Sequence, residues 1–221
     1  MDNTFDTIQN ITGIVAFNKD EVATPQDAMD NMVDLVWSEI QGQITPDTTF
    51  LDIACKSGRF LKALYNKLFN CAELSHLNPK DRHKNIIERQ LYGLTFSPVA
   101  ASVARTTLYN KPNITGNIHY IEGYIAKVKD NKIKTELDRI FGEHMKFDVT
   151  VGNPPYNNDI YLDFVTLGHK LAKQYTCMIT PAKWQAKTDG KPKGSKTPDK
   201  NEQFRQNIAP YMEKIVFMPD T

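Results

Sequence analysis

Apolar residues recur along this chain with two alternating periods. In residues 27–40, Met29, Met32, Val33, Val36, Trp37 and Ile40 follow three- and four-residue spacing, which predicts an amphipathic helix. A short apolar run, FLDIA at 50–54, then reads as a buried strand. RFLKALYNKLF at 59–69 returns to the helical period, and a polar insertion, LSHLNPKDRHKN, fills 74–85. Further strands are predicted at QLYGLTF (90–96), IHYIE (118–122), FDVTVG (147–152), YTCMITP (175–181) and KIVFMP (214–219). Helices are predicted between them at 98–110, 161–174 and 201–212, with a shorter one within 134–145. Strands alternating with helices at this spacing predict an α/β fold: a mostly parallel sheet with helices on both faces. The chain shows no internal repeat.

In such sheets, ligands bind beyond the carboxyl ends of the strands, near the point where strand order reverses. Two unusual turns leave strands there. The first is LDIACKSGRF at 51–60. A strand ends at the acidic Asp52, small residues follow, and a helix begins. The backbone is open to a ligand at Ala54, Ser57 and Gly58, and the helix start behind it favours an anionic group. The turn is neither a P-loop nor G-x-G-x-x-G, and an ordinary strand–turn–helix bend would read the same way.

The second turn is VGNPPYNN at 151–158. Pro154 and Pro155 fix φ and lack a backbone N–H, and Pro154 also keeps Asn153 out of the helical region. Asn153 is therefore expected on a stiff extended turn, with neighbouring carbonyls free. That arrangement suits gripping a flat group that carries an NH₂.

Taken together, the two turns resemble those of the class I S-adenosylmethionine (SAM)-dependent methyltransferases, in particular the bacterial N6-adenine DNA methyltransferases of restriction–modification systems. The family's cofactor turn reads D-P-A-C-G-S-G-x-F and its catalytic tetrapeptide N-P-P-Y or D-P-P-Y. Upstream, EVATPQDAMDNMVDLV at 21–36 is similar to the family's T-P-x-x-[IVL]-x-x-x-M segment. The resemblance runs from about Thr24 to the last predicted strand. It implies a Rossmann-like fold with SAM as cofactor and double-stranded DNA as substrate.

By the same resemblance, Asn153, Pro154, Pro155 and Tyr156 are catalytic. The Asn153 amide oxygen and the Pro154 carbonyl accept the two hydrogens of adenine N6, and Tyr156 stacks on the flipped base. Thr24, Asp52, Ala54, Gly58, Thr95, Phe96 and Glu122 would bind the cofactor, with Tyr124 an alternative to Glu122 in register. The chain departs from the family pattern at Ile53 and Lys56, which replace a proline and a glycine, and at Thr95, which replaces a carboxylate. A C-K-S-G turn does occur in one branch of the family. Trp184 either lines the base pocket or packs on the sheet. Lys187, Lys191, Lys193 and Lys196 lie in a Lys-, Gly- and Pro-rich stretch, 187–200, expected to be a mobile loop that touches phosphates or is simply solvated.

The resemblance further implies one catalytic domain over 1–221, with a helical lead-in over about 1–45. Six strands are predicted where the family sheet has seven, so the C-terminal strand and the target-recognition region are expected to be missing. A second polypeptide would then supply recognition or complete the sheet. Two alternatives remain: a catalytically silent remnant or subunit that needs a partner, and a methyltransferase acting on RNA or on a protein glutamine amide.

Bulk properties narrow the picture further. The 221 residues carry a formal charge of +1, so DNA contact must come from a local patch rather than a global basic field. Three scattered cysteines and five histidines show no metal-ligand spacing, and free thiols are expected. No apolar run reaches membrane-spanning length and the N-terminus does not read as a signal peptide, so a cytoplasmic protein is expected.

Overall fold

The computed structural model describes residues 24–186 and 199–217. Five strands form one parallel sheet: β1 (Phe50–Asp52), β2 (Leu91–Thr95), β3 (Ile118–Tyr120), β4 (Phe147–Gly152) and β5 (Ala172–Met178). Their order is β3-β2-β1-β4-β5. The order reverses between β1 and β4, where Asp52 pairs with Val151. The two unusual turns therefore leave adjacent strands at the switch point, where such sheets open a crevice.

Each sheet face has its own apolar layer, because successive strand residues point to opposite sides. Phe50 packs with α1 (Gln26–Ile40), α2 (Arg59–Asn70) and α4 (Pro98–Tyr109) through Val33, Val36, Leu61, Leu64 and Leu108. Its neighbour Leu51 packs on the other side, with Tyr124, Val128, Leu137 and Phe164. Those residues come from α5 (Tyr124–Lys129), α6 (Lys134–Phe141) and α7 (Ile160–Leu171). Full burial of each such side chain contributes roughly 1.5–3 kcal/mol. A third cluster joins α7 to α8 (Lys200–Asn207) through Tyr161, Val165, Trp184 and Phe204.

Local chemistry sets the helix ends. Asp199 caps α8 by accepting from the Glu202 N–H at 2.7 Å, and Ser97 caps α4 by accepting from Ala100 at 3.1 Å. These capping bonds satisfy donors that the first helical turn leaves open.

The structure differs from the sequence expectation in several places. The polar insertion holds a short helix, α3 (Pro79–Asn85), followed by a π-type turn at Ile86–Gln90. Helix α5, begun by left-handed Gly123, was not anticipated, because Lys-rich YIAKVK shows little periodicity. α7 stops at Leu171, since pairing with β4 reaches back to Ala172 and claims the backbone predicted as helix. α8 ends at Asn207 and a 3-10 turn takes over at Ala209–Tyr211, because Pro210 cannot donate into a continuing helix.

The predicted sixth strand is not formed over 214–217; those residues pair with no strand, and Ile215, Val216 and Phe217 are exposed. A strand exists only through a ladder partner, and over 214–217 the chain does not pair with β5, the edge strand, which among the described residues pairs with β4 alone. Its last two predicted residues, the N-terminal part of the lead-in and most of the Lys-rich stretch lie outside the described residues. No helix among the described residues is long and apolar enough to cross a membrane.

Candidate active site at the switch point

The turn after β1 is held from beneath by Asp52. Its carboxylate is 1% exposed and accepts from the Ala54 N–H at 3.0 Å. Burial pushes the carboxyl up to about 7, opposed by the Ala54 N–H, the Lys56 ammonium and the Cys55 thiol. Lys56, half-buried, thus places its charge near Asp52. Burial also pushes the Cys55 thiol well up, aided by the Asp52 charge, and the Cys55 N–H donates to the Leu94 carbonyl at 2.9 Å.

Gly58 adopts φ 77° as the cap of α2. A Cβ there would lie 3.0 Å from the backbone of Ala104, so both the conformation and the close packing require glycine. The result is a small-residue cradle with the start of α2 behind it.

The ends of β2 and β3 flank this cradle. Thr95 is buried and its hydroxyl donates inward, to the Ser97 and His119 carbonyls at 3.4 Å each. Phe96, half-buried, stacks on Tyr124 at 5.2 Å and 27°. Tyr124 is itself buried and donates to the Ile53 carbonyl at 3.0 Å, which makes it a strut of the turn. Glu122 is exposed, with no side-chain partner among the described residues. At this edge the half-buried Phe96 ring and the exposed Glu122 carboxylate are the groups open to a cofactor of the kind the motifs imply, whereas the Ala54 N–H is already bonded to Asp52 and Gly58 is packed against Ala104. The Thr95 hydroxyl is thus turned to backbone and offers nothing polar at this edge.

The turn after β4 completes the site. Gly152 lies against the first turn, since a Cβ there would meet Ala54 and Ile53 at 3.4 Å. Asn153 follows, 3% exposed. Its Nδ2 donates to Thr24 Oγ1 at 2.8 Å, and its Oδ1 accepts from the Tyr156 hydroxyl at 2.6 Å. Burial raises the Tyr156 phenol to about 12, so it remains a neutral donor near neutral pH. Tyr156 also packs edge-on to Tyr161 at 6.2 Å.

Behind it stands Trp184, 8% exposed and edge-on to Phe204 at 5.4 Å. It packs chiefly against residues of α7 and α8 rather than on the sheet face. Arg205 donates to the carbonyls of Trp184 at 2.6 Å and Ala186 at 3.0 Å, fixing this wall to α8.

Thr24, the two turns, Phe96 and Glu122 thus share one edge of the sheet. The sequence reading missed Arg59. Its guanidinium donates to the Thr24 carbonyl at 3.3 Å and to the Gln26 amide oxygen, tying the Thr-Pro segment to the start of α2. A cation directly after the glycine cap was the available signal.

Comparison with known proteins places this geometry in context. The model of the Eco57I restriction-modification methylase family matches residues 89–159, from just before β2 through the NPPY turn. An uncharacterized adenine-specific methylase of Mycoplasma pneumoniae is 25% identical over a 236-residue alignment. That alignment covers 75% of this chain and 56% of the relative, so the chain spans little more than half of that protein's length. A modification subunit of a putative type I restriction enzyme from Vibrio vulnificus YJ016 shares the fold. It superposes with a TM-score of 0.52 at 14% identity, covering 80% of this chain and 38% of that one. The resemblance to restriction–modification adenine methylases read from the motifs is borne out by these matches.

Proposed function

We propose that this chain carries out methyl transfer from SAM to the N6 amine of an adenine in double-stranded DNA, within a restriction–modification system. The observation that carries the reading is the buried Asn153 amide at the strand-order reversal, beside the turn after β1, with its Nδ2 bonded to Thr24.

Adenine N6 is a weak nucleophile because its lone pair is delocalised into the ring. Asn153 Oδ1 and the Pro154 carbonyl accept its two hydrogens, which draws the nitrogen toward sp³ character and frees the lone pair. Neither proline of the turn contributes an N–H that would compete for these acceptors. When bound, SAM supplies a methyl group on a sulfonium whose sulfur leaves as a neutral thioether. Asn153 orients and polarises but is no base, so the surplus proton on the methylated amine leaves to water. Preorganised acceptors and proximity supply most of the acceleration. Tyr156 stacks on the base, which must leave the duplex to reach the turn. Phe96 and Glu122 would hold the cofactor beside Ala54 and Gly58, while Asp52 keeps the turn in shape.

Target recognition and any partner subunit belong to the proposal as well: DNA specificity would come from elements outside the described residues or from a second polypeptide. The test is transfer of labelled methyl groups to unmethylated duplex DNA, followed by digestion and mass analysis for N6-methyladenine. Incorporation that Asn153→Ala abolishes while cofactor binding persists supports the reading. Label appearing in RNA or in a protein glutamine instead would overturn it.

A further inference from the structure

An asparagine amide has two ends of nearly the same shape, and only the oxygen end can accept hydrogens from an amine. A half-turn of the Asn153 amide would present two hydrogens to the incoming NH₂ and block transfer. The site must therefore fix which end faces the base.

In this structure the nitrogen end is bonded to Thr24 Oγ1 at 2.8 Å, across 129 residues of sequence. Thr24 is itself held: Arg59 donates to its carbonyl at 3.3 Å. Pro25, next in the chain, begins α1 by accepting from the Met29 N–H at 3.1 Å. α1 is anchored in the core by Met29, Met32 and Val33. The Thr24 hydroxyl can accept or donate; here it accepts from the one side-chain nitrogen of the NPPY turn while the Tyr156 hydroxyl donates to Oδ1, so the two hydroxyls together match this orientation of the amide.

We propose that Thr24 is a positioning residue for Asn153: by accepting from Nδ2, it holds Oδ1 toward the base. This rests on the methyl-transfer reading of the NPPY turn, and it assigns Thr24 a role on the base side of the site in place of a contact to the cofactor alone. Arg59 extends the link to the cofactor turn, so the helix that begins behind the cofactor cradle also sets the register of the catalytic amide.

The test uses the chain labelled with ¹⁵N-asparagine and the variants Thr24→Val, Thr24→Ser and Asn153→Ala. The side-chain amide signals of Asn153 are those missing from Asn153→Ala. Thr24→Val should shift these signals and speed their exchange with water, and Thr24→Ser should restore both. Calorimetric titration with SAM should give the same affinity for Thr24→Val as for the parent chain. Turnover on duplex DNA should fall about tenfold, the loss expected of one orienting hydrogen bond, with KM for SAM unchanged and turnover recovered in Thr24→Ser.

Unchanged Asn153 signals in a folded Thr24→Val variant would overturn the proposal. So would weakened SAM binding with full turnover at saturation, which would make Thr24 a cofactor contact only. The spectral readout decides the matter even where turnover is absent. Full activity of Asn153→Ala would sink the methyl-transfer reading itself, a separate outcome.

Discussion

The Tyr156 hydroxyl donates to the Asn153 amide oxygen at 2.6 Å, so the acceptor that the proposed reaction needs is already engaged. A carbonyl oxygen has two lone pairs, and an incoming amine must share it or displace the phenol. Tyr156→Phe keeps the stacking ring and removes the competing donor. Its kcat/KM on duplex DNA should match or exceed that of the parent chain. Tyr156→Ala removes the ring, and base stacking of about 1–3 kcal/mol predicts a loss of roughly 10- to 100-fold. Steady-state kinetics on the three chains check this; a Phe variant as impaired as the Ala variant would assign the hydroxyl an essential role.

Thr95 and Glu122 make a paired prediction. The Thr95 hydroxyl is spent on two long bonds to backbone, so Thr95→Val should leave SAM affinity intact and cost up to about 1 kcal/mol of stability. Glu122 is the unengaged carboxylate at the same edge, and Glu122→Ala should weaken SAM binding about tenfold. Calorimetry reads both, and the reverse ranking would move the polar cofactor contact to β2.

These two residues also mark how far the sequence carries. The alternation of strands with helices and the placement of both turns were legible, because FLDIA and FDVTVG are apolar runs that stop at distinctive turns; the order of the strands in the sheet was not. The direction of the Thr95 hydroxyl was not, since a strand-end threonine reads the same whether it faces a ligand or a carbonyl. The Thr24–Asn153 bond joins residues far apart in sequence, and nothing in ATPQ or GNPP names the other. Tyr124 looked like a ligand residue from its register beside Glu122. Only the packing shows its hydroxyl bonded under the first turn. The fate of 214–217 depends on a strand partner, which no local pattern encodes.

Asp52 makes stability depend on pH. Its carboxyl is raised by burial from 3.8 to about 7, so the folded chain holds a proton that the unfolded chain releases. Its favourable contribution is fully present below about pH 4 and is lost as pH rises through about 7, a change of roughly 4 kcal/mol. Asp52→Asn can still accept from Ala54 and does not titrate. The stability difference between variant and parent should therefore grow in the variant's favour from pH 4 to pH 8, as followed by denaturant unfolding. A constant difference would mean that Asp52 is not protonated in the folded chain.

Gly58 and Gly123 separate conformation from crowding. Both have positive φ, but a Cβ at Gly123 meets nothing within 4 Å, whereas at Gly58 it meets Ala104 backbone at 3.0 Å. Gly123→Ala should cost about 1–2 kcal/mol. Gly58→Ala adds the overpacking cost, for roughly 2–4 kcal/mol in all and a melting point lowered by roughly 5–15 °C, with weaker SAM binding as the cradle shifts. Equal melting points for the two variants would show that the contact with Ala104 relaxes freely.

Trp184 separates a wall from a pocket. It is buried with Tyr161 and Phe204, and Arg205 fixes its carbonyl. As a wall, it acts through packing: Trp184→Ala should cost about 3–5 kcal/mol, while Trp184→Phe fills most of the volume and keeps most of the stability. Turnover should then track stability, because Tyr156 packs against this same cluster. A base-pocket residue would behave differently. It would raise KM for DNA in the Phe variant with little loss of stability, because the missing ring area would be felt only when the base is bound. Thermal melting and DNA-dependent kinetics on the Phe variant distinguish the two, and a raised KM at an unchanged melting point would place Trp184 against the substrate.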